Sequence, residues 1–126
     1  MCSPMRFNPS IHTIGLSRDL LASLVPMQAD PPVPVDGVTI GIVEMSENSR
    51  HGGEMHPDGD EVLYLISGSV SVVFEDERYE NIEMKPGDGL VVPKGVWHRV
   101  DILECSRIMY ATPGPGGEYR SIENNT

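Results

Sequence analysis

Residues Gly52 to Gly68 read Gly-Gly-Glu-Met-His-Pro-Asp-Gly-Asp-Glu-Val-Leu-Tyr-Leu-Ile-Ser-Gly. Glu54 and His56 are two apart, so in an extended segment both side chains leave the same face. Pro57-Asp58-Gly59-Asp60 has the chemistry of a tight reversal, because proline presets φ, glycine supplies freedom, and Asp side chains cap turns locally. That reversal delivers Glu61 to the head of an apolar run, Val62 to Ile66. A companion stretch, Gly87 to His98, reads as a turn, a short apolar strand, a Pro93-Lys94-Gly95 turn and then a histidine. Two histidines and one or two carboxylates can therefore converge.

Outward from this stretch the pattern is β. Val38, Ile40 and Ile42 alternate with Thr39, Gly41 and Val43, and a turn-rich segment, 46–51, leads into the strand ending at His56. Val62 to Ile66 and Val70 to Phe74 flank Ser67-Gly68-Ser69 as a hairpin, and Asp76-Glu77 turns the chain into Arg78 to Met84. Gly89 to Val92, Val96 to Ile102 and Arg107 to Ala111 complete the set of short strands. Frequent turn signals with no helix between strands predict an all-β fold, a single antiparallel β-barrel or jelly roll. Closure of this kind also removes sticky edges.

Ahead of the barrel, 1–14 reads as a surface arm. Ser17 reads as the N-cap of a short helix, with Leu16, Leu20 and Leu24 at helical spacing and Pro26 as its stop. Pro26, Pro31, Pro32 and Pro34 then predict an extended connector. The expected organisation is arm, helix and connector over 1–36, barrel over 37–112, and a Gly/Pro-rich tail over 113–126.

The two motif spacings resemble those of the cupin family, whose first motif is Gly-x5-His-x-His-x3,4-Glu-x6-Gly and whose second is Gly-x5-Pro-x-Gly-x2-His-x3-Asn. Here Glu61-x6-Gly68 is intact, His56-x4-Glu61 has the family's gap, and Gly87-x5-Pro93-x-Gly95-x2-His98 is complete as far as its histidine. Glu54 stands where the family's first histidine belongs, and Ile102 stands where the second motif ends in asparagine. The resemblance implies a cupin-like barrel and a divalent transition metal held by Glu54, His56, Glu61 and His98. Fe, Mn, Ni, Co and Zn are all compatible with such nitrogen and oxygen donors.

Strand parity carries the same point independently. If His98 points inward, Val96 and Val100 accompany it, while Trp97 and Arg99 face out; Glu61 takes Leu63 and Leu65 with it. A glutamate on an aliphatic inner face is costly unless paired or bound to a cation. His56, Glu61 and His98 alone form the 2-His-1-carboxylate set of open non-haem iron sites. Glu54 is either a fourth ligand, bringing the carboxylates to two, or a general base beside the metal.

The functional expectation is a metal-dependent enzyme of oxygenase, isomerase or lyase type, acting on a small organic substrate, carboxylated molecules among the candidates. The alternative is a non-catalytic module that binds a sugar or metabolite. Among the 126 residues the formal net charge of −10 argues against nucleic acid and anionic membrane as partners. With no apolar run long enough to span a bilayer and no basic-then-apolar leader, the expected compartment is cytoplasmic. Cys2 and Cys105 predict no disulfide framework. By analogy with small cupins, a homodimer paired through barrel strands and N-terminal arms is expected.

The remaining residues have quieter readings. His12 and His51 are expected at the surface, Asp58 and Asp60 as turn residues, and Trp97 in the core or at an interface. Tyr64 and Tyr110 are candidates for pocket lining or core. The tail reads as a disordered end; a fold over the barrel mouth would bring Tyr119, or Arg120 as a carboxylate partner, to a substrate.

Overall fold

The computed structural model describes residues 3–27, 29, 31–49 and 51–121, and Cys2 lies outside the described residues. Nine strands follow one another: β1 (His12–Ser17), β2 (Ala22–Pro26), β3 (Gly37–Met45), β4 (His51–Met55), β5 (Glu61–Phe74), β6 (Ile82–Met84), β7 (Gly89–Val92), β8 (His98–Gly114) and β9 (Glu118–Ser121). Every pairing is antiparallel, along the path β2-β1-β3-β8-β4-β9, with β5 against β6, β7 and β8. The all-β antiparallel barrel is thus the fold, and no residue among those described is in an α-helix. Accordingly, none of their helices is long and apolar enough to cross a membrane.

The organising pair is β5 with β8. They run side by side from Val62 opposite Ala111 to Phe74 opposite His98. Both are longer than the short strands expected from the turn signals. Ser67-Gly68-Ser69 is not a hairpin but a bend within β5, where the register against β8 slips between Leu65 and Val70. The slip reverses parity: Glu61, Leu63 and Leu65 are buried before it, Val70, Val72 and Phe74 after it. Gly68 is required there. Its φ is +90°, and a Cβ would lie 2.4 Å from the Cys105 carbonyl oxygen. Ser106 pins the bend, its hydroxyl accepting from the Ser69 N–H at 3.0 Å.

Between the walls lies the apolar core, in which Leu65 and Val72 are fully buried beside Val70, Met84, Val92 and Ile108. Removing side chains of this size from water stabilises the fold by about 1.5–3 kcal/mol each. The core runs up to the polar cluster described below, with Val92 opposite Glu61 and the Phe74 ring centroid 6.5 Å from that of His98.

The N-terminal helix does not form. Residues 12–26 make a β-hairpin instead, with Ile14 opposite Leu24 and, on the other side, opposite Ile40 of β3. The Ser17 hydroxyl accepts from the Leu21 N–H, four residues on and not the two or three of a helix cap, while the Leu20 N–H returns to the Ser17 carbonyl and Leu20 takes φ +64°, which closes a tight turn. A helix here would have had only the stripe of Leu16, Leu20 and Leu24, with Leu21 beside it, to bury. The hairpin gains ladder hydrogen bonds to β3 and buries Thr13, Gly15 and Val25, while Leu20 and Leu21 stay exposed at its tip.

The C-terminal segment is not a disordered end within the described residues. β8 continues to Gly114, and β9 pairs with β4, setting Tyr119 opposite Glu54.

Candidate metal centre

Two loops deliver the donors, and they are tied to each other. The Asp60 carboxylate accepts from the Lys94 N–H at 2.7 Å, and the Gly95 N–H donates to the His56 carbonyl at 3.0 Å. Asp58 accepts from the Gly116 N–H. Asp58 and Asp60 are turn residues, as expected, but they cap distant backbone and not their own turn. These bonds dock the Pro93–Val96 turn onto the end of β4, so His98 enters β8 directly opposite Glu54.

Four side chains then meet. His98 Nε2 is 3.0 Å from Glu61 Oε1 and 3.4 Å from Glu54 Oε1; His56 Nε2 is 3.2 Å from Glu61 Oε2 and 3.7 Å from Glu54 Oε1. One donor atom from each of the four lies within 4.8 Å of every other. His56, Glu61 and His98 are buried, and Glu54 is the most accessible of the set. Outside contacts fix the geometry. His98 Nδ1 donates to the Val96 carbonyl at 3.0 Å, which turns Nε2 into the cluster as a lone-pair donor. Thr112 donates its hydroxyl to Glu61 Oε2 at 2.6 Å.

The cluster fits a divalent transition metal. Bonds of about 2.0–2.2 Å from nitrogen and oxygen place neighbouring donors about 3–4 Å apart, the spread seen here. His56 is buried, with no well-aligned hydrogen bond at either ring nitrogen although Nε2 lies 3.2 Å from Glu61 Oε2, and a metal bond at Nε2 would satisfy that nitrogen. The charges also balance, since two neutral imidazoles and two carboxylates make a neutral site with a dication.

Without a metal the same balance is reached with protons. Burial alone would raise the Glu54 carboxyl, but His56 and His98 beside it outweigh burial and hold it at about 2. Glu61 is lowered in the same way, burial being overcome by the two histidines. Burial opposes charge on His56 and His98 as well, yet the two glutamates lift them to about 9 and about 10.

A cavity of about 460 Å³ opens beside the cluster. Glu54 and Glu61 line it, with the histidines behind them, and Val43, Met45, Leu63 and Ile108 supply an aliphatic wall. Residues 25–27 and 32–33 form one side, so the N-terminal hairpin and its connector are part of the cavity. Tyr110 and Tyr119 complete the polar side. Burial first, and then nearby negative charge, raises both phenols, which therefore remain O–H donors.

Several residues stand elsewhere than expected. Tyr110 lines the cavity, whereas Tyr64 is exposed on the outside. His51 is not a surface residue: it lines the cavity, 3.9 Å from Glu54 and 5.1 Å from the Tyr119 ring centroid. A bulge between His51 and Gly53 puts it on the face of Glu54 despite a separation of three. Thr112 was also missed, because a threonine at a strand end carries no motif. Tyr119 reaches the cavity as the fold-over reading of the tail requires, whereas Arg120 is directed to other partners. Its guanidinium lies 4.1 Å over the Trp97 ring and 3.2 Å from Glu75.

The fold and site define an antiparallel β-barrel that carries, at the wall of a cavity, a cluster of two histidines and two glutamates that could hold a metal. The chain belongs to the cupin domain family, whose profile matches residues 41–104. It is similar to the uncharacterized protein YdbB of Bacillus subtilis (strain 168), 39% identical over 44 residues, which are 35% of this chain and 37% of that relative's length. The chain therefore spans well under half of that relative. Among solved structures it is similar to a cupin-2 domain containing protein of Shewanella frigidimarina, with a TM-score of 0.53 and 27% identity over 65% of this chain and 76% of that one. Its fold is also shared with the DMSP lyase DddQ of Ruegeria pomeroyi, at a TM-score of 0.55 and 18% identity over 69% of this chain and 45% of that one.

Proposed function

We propose that the protein binds one divalent transition metal through His56, His98, Glu61 and Glu54, and acts as a metal-dependent enzyme of oxygenase, isomerase or lyase type on a small organic molecule held in the cavity. The observation that carries this reading is the position of the cluster: four converging donors, two of them facing a cavity large enough for a small molecule. A metal held there supplies Lewis acidity toward substrate oxygens.

The chain's own residues divide the remaining work. Glu61, fixed by Thr112, and His98, fixed by the Val96 carbonyl, are the rigid ligands. Glu54 is the ligand on the open side, with one oxygen toward the histidines and the other toward His51. That placement also lets it move a proton at a substrate carbon or oxygen in the cavity. Tyr110 and Tyr119 offer hydroxyl donors to orient polar substrate atoms, and the aliphatic wall excludes water from the apolar part. A substrate carboxylate, if present, would be bound at the metal, since Arg120 is committed to Trp97 and Glu75.

The test is elemental analysis of protein purified without added metal. About one equivalent per chain, lost in His98→Ala, supports the site. A protein that is metal-free and takes up none of Fe, Mn, Co, Ni or Zn refutes it.

A further inference from the structure

The cavity wall carries a second polar group, set apart from the metal donors. β3 turns Thr39 and Val43 toward the cavity, and Gly41 lies between them on the same face. Nothing in the backbone asks for glycine there, because Gly41 sits inside a strand and its φ is not positive. What alanine would meet is Tyr110. The two residues are cross-strand partners on β3 and β8, and a Cβ on Gly41 would lie 2.5 Å from the Tyr110 hydroxyl oxygen, 2.7 Å from its Cζ and 2.9 Å from Thr13 Cγ2. The ring is folded over β3 in the place of a side chain at 41, which carries the phenol oxygen off its own strand to a seat beside Thr13 of β1.

Thr39, the next inward residue of β3, stands opposite Thr112 of β8. The Thr112 hydroxyl is engaged by Glu61 and that of Thr13 by the Val25 carbonyl at 3.4 Å. Among the described residues the hydroxyls of Tyr110 and Thr39 have no such partner, and both side chains line the cavity. Glu61 is on β5, two strands from β3 with β8 between them. At about 4.8 Å per strand, the phenol seat lies up to about 10 Å along the wall from the Glu61 strand. Leu63, opposite Tyr110, and Ile108, opposite Val43, also line the cavity, so the wall beside that path is aliphatic.

We propose that the cavity takes a two-ended molecule: an oxygen group at the metal, a short aliphatic middle against Leu63 and Ile108, and at the far end a hydroxyl that accepts from the Tyr110 phenol and donates to Thr39. This deepens the functional reading above and rests on it, because the near end is held by the metal. Tyr110 is then the specificity-determining contact, and Gly41 is the positioning residue that makes its seat. A site built to pair a ligand hydroxyl rejects the analogue that lacks one, because the phenol and the threonine are left facing a methyl group. The distance between the metal and the phenol selects for length as the two hydroxyls select for polarity.

Two hydroxamic acids of equal length test it, ω-hydroxyhexanohydroxamic acid and heptanohydroxamic acid, which share a metal-binding end and differ by a terminal hydroxyl against a methyl. In cobalt-loaded protein, binding of the near end is read from the visible absorption of the ion, independently of any activity. Wild type is expected to bind the hydroxyl probe about 10-fold more tightly than the methyl probe. Tyr110→Phe, which keeps the ring, is expected to erase that preference while retaining its affinity for the methyl probe, and Thr39→Val to reduce it. Gly41→Ala, whose Cβ takes the phenol's place, is expected to erase it as well, with unchanged far-UV circular dichroism, whereas Tyr64→Phe on the outer surface leaves it unaltered. Equal affinity of wild type for the two probes overturns the far subsite and leaves the metal reading standing. A preference that survives in Tyr110→Phe, or a Tyr110→Phe that loses both probes alike, overturns the role given to the phenol. Protein that takes up no cobalt, or whose absorption neither probe changes, overturns the metal reading and this proposal with it.

Discussion

Glu54 and His98 stand directly opposite each other where β4 meets β8, with Glu54 Oε1 3.4 Å from His98 Nε2. The position that the family motif gives to a histidine thus presents a carboxylate oxygen at ligand distance from the same neighbours. Glu54→Gln keeps the shape and removes the charge. Its metal affinity, measured by competition with a chelator, is expected to fall about 100-fold or more, while a residue merely near the metal would cost less. Unchanged affinity would take Glu54 off the metal and leave it as a base.

Metal uptake is expected to release protons. His56 and His98, held at about 9 and about 10, are charged at neutral pH and must each lose a proton to bind. Affinity therefore rises with pH up to about 10, and titration in buffers of different ionisation enthalpy should count close to two protons per metal at pH 7. A proton count near zero contradicts the charged-histidine state.

The metal-free protein has a stability window set by the same groups. The histidines have raised values, so their contribution is complete below 6.5 and is lost as pH rises through about 9 to 10. The glutamates have lowered values, so theirs is complete above 4.5 and is lost as pH falls below it, for Glu54 through about 2. Melting temperature in the presence of a chelator is expected to peak between these limits. A maximum above pH 9 would mean that the histidines are neutral.

Thr112→Val removes the hydroxyl that donates to Glu61 Oε2 at nearly the same side-chain volume. Losing a hydrogen bond to a charged group should cost about 1.5–3 kcal/mol in urea unfolding, with Thr112→Ser recovering most of it. Equal stability of the valine variant and wild type would show that the bond contributes nothing.

Trp97 is the sole tryptophan and lies beneath Arg120, so its fluorescence reports whether β9 is docked. Arg120→Ala is expected to shift the emission and to cost about 0.5–1 kcal/mol, while metal content is retained. If the emission is unmoved, the clamp does not hold β9.

The convergence of Glu54, His56, Glu61 and His98 was legible because their faces follow from parity and their spacing from two turns. Glu54 and His56 share a face at a separation of two, and Pro93-Lys94-Gly95 sets the entry of His98. His51 was not legible because a bulge changes the count, and nothing local announces a bulge. The bend at Gly68 looked like a hairpin, since glycine between serines is turn chemistry whether the chain reverses or only kinks. Leu16, Leu20 and Leu24 have helical spacing, but β3 offered a free edge, and ladder hydrogen bonds outweighed propensity. The strand at 118–121 exists only because β4 has an open side, a fact of tertiary arrangement that Gly/Pro content cannot express.

The two stitched loops have a consequence for chain entropy. Glu54 and His98 are 44 residues apart, and an ion bound to both is a reversible cross-link closing that loop. On the chain-entropy treatment used for disulfides, a closure of this size is worth about 4 kcal/mol, drawn from the unfolded ensemble and not from any contact in the folded one. Loading would then strengthen the whole barrel, including strands that never touch the ion, and a chelator would act at a distance as a denaturant does.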